Sequence, residues 1–151
     1  PGQYRNVIPN FIYWSMLEKS LPLTGTGDET RDFTYVLDLV QGLIKAAFFK
    51  EAIGQAFNLA SGKETKIQDM ISMVNQSTGN TTPITQFPPR KWDTKKRLLA
   101  SIELAGELID YKPIVSFEDG LNENFKWFGN NWDKVQKAAD FPIGMSSAVR
   151  K

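Results

Sequence analysis

The sequence predicts an α/β chain, rich in helix and carrying only short strands. Three observations lead there. Apolar residues recur at spacings of three and four over several long stretches, the mark of helices with one apolar face. Between them lie runs of three or four residues with strand propensity, bounded by turn formers. Glycine and proline clusters stand at most of the boundaries.

In chain order, Arg5 to Lys19 reads as a helix, with Val7, Ile8, Phe11, Ile12 and Trp14 recurring at helical spacing. Pro9 falls in its first turn, where a missing N–H does no harm. Pro22-Leu23-Thr24 is a short strand. The run Gly25-Thr26-Gly27-Asp28-Glu29-Thr30-Arg31 is a glycine-punctuated turn that delivers one arginine, and Phe33, Thr34 and Tyr35 then favour extended backbone. Val36, Leu39, Val40, Leu43, Ile44, Ala47 and Phe48 form the apolar stripe of a second helix, with Asp38 suited to its positive end. Ala56 to Leu59 reads as a strand running into a Ser61-Gly62 turn. A capping box of Thr65 and Gln68 opens a third helix, which Gly79 ends.

Ile84 to Phe87 is a strand stopped by Pro88-Pro89, and Arg90 to Lys96 a mostly basic loop. Ser101 caps a shorter helix that ends before Pro113. Ser116 and Asp119 mark the start of a final long helix, 117–139, whose stripe of Leu121, Phe125, Phe128, Trp132, Val135 and Ala139 reads as core or interface. The last ten residues are expected to fray.

Composition excludes whole classes of chemistry. A length of 151 residues suits one domain, and 41% hydrophobic with 23% charged residues is ordinary for a soluble globular protein. There is no cysteine, so disulfides, thiolate catalysis and cysteine metal sites are excluded, and a cytoplasmic setting is expected. There is no histidine, which removes Ser-His-Asp catalysis from this chain. A net charge of +1 and no long apolar run give no reason to expect nucleic acid or membrane as a partner. The chain opens on Pro1 rather than methionine, so it is expected to be cut or processed.

One constellation carries chemistry. Arg31 leaves a glycine turn, and Arg90 leaves a Pro-Pro stop with Asp93 three residues on. Two guanidinium groups can clamp a diphosphate, and a carboxylate beside them can accept from ribose hydroxyls. Asn6, at a helix start, can add an amide and helix N–H groups. The alternative is a surface turn in which Arg31 pairs with Asp28, Glu29 or Asp32. Gly25-Thr26-Gly27 lacks a third glycine and leads into a strand, so it is no nucleotide fingerprint.

An ordered series of blocks resembles the second half of an extended short-chain dehydrogenase/reductase of the NAD-dependent nucleotide-sugar epimerase/dehydratase family. The blocks are Pro1-Gly2-Gln3 with Asn6 to Ile12, Gly25-Thr26-Gly27 leading to Arg31 to Val36, Phe57-Asn58-Leu59 with Ser61-Gly62, Pro89-Arg90 with Asp93, and Leu99-Ala100-Ser101 with Ala105 and Pro113. The resemblance implies a nucleotide-sugar-binding region over 1–128, a helical extension and frayed tail over 129–151, and no N-terminal Rossmann domain. It implies that Asn6, Arg31, Arg90 and Asp93 hold the nucleotide diphosphate, with Leu21 and Leu23 near its base, and that Asp38 is structural. Ala60, Leu37 and Asp110 depart from the family's frequent glycine, acid and glycine. In the family the NAD site and the Tyr-x-x-x-Lys pair lie upstream, and neither Tyr13 with Lys19 nor Tyr35 with Lys45 has that spacing.

The chain is therefore expected to hold no catalytic residue, to bind no NAD itself and to be inactive alone. In the complete enzyme, hydride would pass between sugar and NAD. The expected partners are a nucleotide-diphosphate sugar, the missing Rossmann domain and, through the strand at Ala56 to Leu59 and the apolar face of 36–49, a second copy. The rival readings are a non-catalytic interaction module that docks through helix 117–139 and a related reductase whose substrate carries no nucleotide.

Overall fold

The computed structural model describes residues 6–89 and 94–139. Its elements, in order, are α1 (Val7–Met16), β1 (Pro22–Thr24), β2 (Thr30–Arg31), α2 (Val36–Phe48), a 3-10 turn (Lys50–Ala52), β3 (Thr65–Lys66), α3 (Ile67–Thr78), β4 (Thr85–Phe87), β5 (Arg97–Leu98), α4 (Glu103–Ile109), α5 (Phe117–Asn130) and α6 (Trp132–Ala139). The molecule is thus α/β and helix-rich with short strands. β1 pairs with β4, and β2 is the centre of a second sheet in the order β3-β2-β5. Contacts divide the chain into two compact units, Pro1–Pro22 with Ile71–Thr85 and Leu121–Lys151, and Leu23–Met70 with Gln86–Gly120.

The first unit buries Phe11 and Ile12 of α1, Leu21, Ile71 and Val74 of α3, and Leu121 and Phe128 of α5. A buried polar network joins α1 to α3. Ser15 donates its hydroxyl to Asn75 Oδ1 at 2.9 Å and lies 2.6 Å from Thr78 Oγ1, while Asn80 Nδ2 donates to Asn75 Oδ1 and to the Lys19 carbonyl. α1 stops at Met16, short of Lys19, because Glu18 turns left-handed (φ 52°) and the Lys19 N–H returns to the Trp14 carbonyl. α3 ends the same way at Gly79 (φ 72°), with the Asn80 N–H on the Asn75 carbonyl.

The single long helix expected over 117–139 is two helices. Asn131 interrupts it, its amide Nδ2 and backbone N–H both donating to the Trp127 carbonyl and its own carbonyl accepting from Val135 to start α6. Across α1 and α6, the rings of Tyr13 and Trp132 are 5.6 Å apart.

The second unit has its core where Ala105, Ile109 and Tyr111 meet Ala46, Ala52, Phe57, Leu59, Ile102 and Leu108. Ala56 to Leu59 forms no strand. Among the described residues no strand pairs with it, and Phe57 and Leu59 pack against this cluster instead. The extended stretch after the glycine turn pairs at Thr30–Arg31 rather than at Phe33 to Tyr35. Thr65 does not cap α3, because it lies in β3 opposite Arg31. The first N–H groups of α3 go to the carbonyls of Glu29 and Gly27. Ser116 and Asp119 do open α5, the Ser116 hydroxyl accepting the Asp119 N–H at 3.0 Å and donating to its carboxylate.

α2 is turned inside out relative to its apolar stripe. Asp38 and Gly42 are its buried residues, whereas Leu43 is 56%, Ile44 54% and Phe48 81% exposed. Asp38 faces inward because its carboxylate accepts the N–H groups of Ile114 and Val115 at 3.2 and 3.0 Å, the structural use expected of it.

Candidate functional site

The glycine turn is built by needs that only glycine meets. Gly25 and Gly27 have φ of 85° and 88°. A β-carbon on Gly25 would lie 2.6 Å from Glu29 Oε1, and one on Gly27 3.0 Å from Gln68 Cβ. The turn closes on itself and on β4. The Gly27 N–H donates to the Glu29 carboxylate at 3.0 Å, the Gly25 N–H to the Phe87 carbonyl at 3.1 Å, and Gln86 Nε2 to the Gly25 carbonyl at 3.0 Å.

That turn delivers Arg31 into the middle strand of a sheet. Thr30 and Arg31 register antiparallel against Lys66 and Thr65 and parallel against Arg97 and Leu98. The half-buried Arg31 donates from Nη1 to the carbonyls of Thr30 and Lys95 at 2.8 and 3.1 Å. The three acids nearest it in sequence each have a partner of their own. Asp28 lies 3.5 Å from Lys66 Nζ, Glu29 takes the Gly27 N–H, and Asp32 binds the Ser61-Gly62 turn.

Two carboxylates flank Arg31. Glu64 accepts the Thr30 hydroxyl at 2.6 Å and the Arg97 guanidinium through two bonds of 2.8 Å. This hydrogen bonding, Arg97 first and Thr30 second, holds the Glu64 carboxyl below its ordinary range. Asp32 accepts the N–H and hydroxyl of Ser61, the Gly62 N–H at 3.0 Å and the Ala100 N–H at 3.4 Å. Sequence reading missed both as parts of the site. Its one signal was that Asp32 adjoins Arg31 and that Ser61-Gly62 forms a turn.

The remaining candidates are distributed as follows. Leu23 is in the second unit with Arg31 and is 7% exposed, its methyl groups packed against Gly27. Leu21, in the first unit, is fully buried and its carbonyl accepts the Thr85 N–H at 3.0 Å. Asn6, also in the first unit, is exposed and caps α1 with extended backbone, its side chain making no cap bond. Arg90 and Asp93 lie outside the described residues.

The turn is no seat for a dinucleotide. The N–H groups of Gly25 and Gly27 are bonded within the protein, and a strand follows rather than a helix. Among the described residues no group of acids could hold a metal ion, and no helix is long and apolar enough to cross a membrane.

Comparison with known proteins gives a consistent picture. A model of the NAD dependent epimerase/dehydratase family matches residues 1–60. A UDP-N-acetyl-alpha-D-glucosaminuronate decarboxylase of Bacillus cytotoxicus is 32% identical over 132 residues, covering 84% of this chain and 41% of the relative. The solved structure of an epimerase from the methanogen Methanothermobacter thermautotrophicus matches with a TM-score of 0.88 and 48% identity, over 91% of this chain and 41% of its own. The Bordetella bronchiseptica enzyme WbmF, solved with NAD+ and UDP, matches with a TM-score of 0.75 and 37% identity, over 88% of this chain and 39% of its own. The chain thus spans about two fifths of the length of these relatives.

Proposed function

We propose, because this chain belongs to the NAD-dependent epimerase/dehydratase family, that it is the part that binds a nucleotide sugar and that Arg31 holds the substrate's diphosphate. The observation that carries this reading is the placement of Arg31, anchored in the central strand of a sheet and fed by a rigid glycine turn. A guanidinium offers a planar fork that matches phosphate oxygens, and its charge-assisted bonds are roughly twice as strong as neutral ones. Arg90 adds the second guanidinium, Asp93 accepts from the ribose, and Asn6 presents an amide at the start of α1. Leu21 and Leu23, whose side chains are buried, contribute backbone beside the base.

UDP is the nucleotide favoured by the relatives, one of which was solved with it. In this reading NAD and the groups that move hydride or protons belong to the remaining length of the family protein, since neither Tyr13 with Lys19 nor Tyr35 with Lys45 has the family's Tyr-x-x-x-Lys spacing. The chain's own residues bind and orient, and alone it does not turn over. The exposed stripe of α2 is the seat for that remaining part. Left open, it also favours pairing with a second copy.

Calorimetry with UDP-, GDP- and dTDP-sugars tests the reading. Binding of a UDP-sugar that weakens at least tenfold, on the order of 1.4 kcal/mol, in Arg31→Ala and in Arg90→Ala is the expected result. Binding indifferent to both arginines overturns it and favours the interaction module. In the helix that module would use, Leu121 and Phe128 are buried and Asn131 interrupts the run.

A further inference from the structure

We infer that Asp32 and Glu64 are positioning residues that together fix the direction of the Arg31 guanidinium. The inference rests on the reading of Arg31 as the diphosphate ligand and deepens it. β2 has two residues, and a strand that short has little ladder of its own to hold it. The sheet is secured instead at both ends of β2 by a carboxylate. On the Thr30 side, Glu64, which directly precedes β3, binds the Thr30 hydroxyl with one oxygen and the fork of Arg97, the first residue of β5, with both. On the other side, Asp32 gathers Ser61 and Gly62, which lead towards β3, and Ala100, which follows β5. Glu64 therefore ties all three strands, Asp32 ties the segments that flank them, and Arg31 lies between the two ties.

The detail of the second tie is exacting. Gly62 reaches Asp32 with a left-handed backbone (φ 68°), and a β-carbon there would come within 3.0 Å of Ile102. Nη1 of the Arg31 head bonds the Thr30 and Lys95 carbonyls, whose positions follow β2 and the approach to β5. A guanidinium ordered before the ligand arrives does not have to be ordered by it. Immobilising such a side chain on binding costs an amount equivalent to roughly 3- to 10-fold in affinity. Carboxylates that merely strengthened the sheet would carry no such preference for the charged part of the ligand.

The test measures UDP and uridine binding to the full chain, in wild type, Glu64→Gln, Asp32→Asn, Arg31→Ala and the double variants. Glu64→Gln keeps an acceptor for Thr30 but loses the charge that holds Arg97. Arg97→Lys, which removes the fork and leaves Glu64 intact, serves if Glu64→Gln does not fold. The expected result is a roughly 3- to 10-fold loss for UDP, uridine unchanged within about twofold, and no further loss when Glu64→Gln is added to Arg31→Ala. Equal losses for UDP and uridine, or the same loss on the Arg31→Ala background, overturn the inference. A second readout needs no ligand, namely the Nε–H order parameter of Arg31, which should fall in both carboxylate variants. An unchanged order parameter overturns the inference even where Arg31→Ala weakens UDP. UDP binding indifferent to Arg31→Ala, with an order parameter that does fall, overturns the binding reading and leaves the positioning intact.

Discussion

The ring of Tyr111 occupies the space that a β-carbon on Gly42 would need, with Cε2 2.8 Å and Cδ2 2.9 Å from that position. Tyr111 is 2% exposed and its hydroxyl donates to the Ala60 carbonyl at 3.0 Å, so the ring has little freedom to move. Gly42→Ala gains about 1 kcal/mol of helix propensity but overpacks this contact at about 1–3 kcal/mol. The substitution is expected to lower stability by up to about 2 kcal/mol in urea unfolding, the overpacking cost less the propensity gain. A stabilised variant would mean that Tyr111 and Leu59 yield easily.

The outward face of α2 sets a second expectation. Leu43→Lys combined with Phe48→Glu changes residues that touch little within the chain, so the unfolding free energy should hold within the scatter usual for surface changes, about 0.5 kcal/mol. Self-association should fall, read as a shift towards monomer in sedimentation velocity. A wild-type chain that is monomeric throughout and exposes no dye-binding apolar surface would remove the basis for this expectation.

Glu64 gives the pH dependence a sign. Its carboxyl is held below the ordinary value of 4.5 by the Arg97 hydrogen bond first and the Thr30 hydroxyl second. A depressed folded value means that the contribution is complete above the ordinary value and is lost as pH falls through the lowered one. The stability difference between wild type and Glu64→Gln should therefore be constant near neutrality and shrink once pH drops below 4.5. Being an exposed pair, it should also shrink in high salt. A difference that grows on acidification would contradict this.

Glu18 is a site for stabilisation. It ends α1 in the left-handed region (φ 52°), where its β-carbon is costly. Its backbone carries the useful contacts there, its carbonyl accepting the Thr82 hydroxyl at 2.8 Å. Glu18→Gly should raise stability by up to about 1 kcal/mol, with Asn intermediate. Glycine no better than alanine at this position would show that the conformation is not strained.

Features set by neighbours in sequence were readable from sequence. The Gly79 stop of α3, the Ser116–Asp119 cap and the glycine turn before Arg31 all depend on residues a few positions apart. Asp110, noted as standing where glycine is frequent, indeed takes the left-handed backbone (φ 50°). What escaped was set by partners far along the chain. Periodicity shows which side chains of α2 share a face but not which face looks inward. Asp38 and Gly42, four apart on the opposite side, were the only hint. The pairing of Glu64 with Arg97 and of Asp32 with Ala100 spans 33 and 68 residues, so no local pattern announces it. The Ala56 to Leu59 strand failed because propensity cannot supply a pairing strand.

In the proposed function, Arg31 and Arg90 meet at one diphosphate. A crystal structure of this chain with UDP tests it most directly. The account predicts Nη or Nε atoms of both arginines at about 2.7–2.9 Å from diphosphate oxygens, with Asp93 on the ribose side. UDP bound away from the glycine turn, or the two guanidinium groups on opposite faces with no hollow between them, would contradict it.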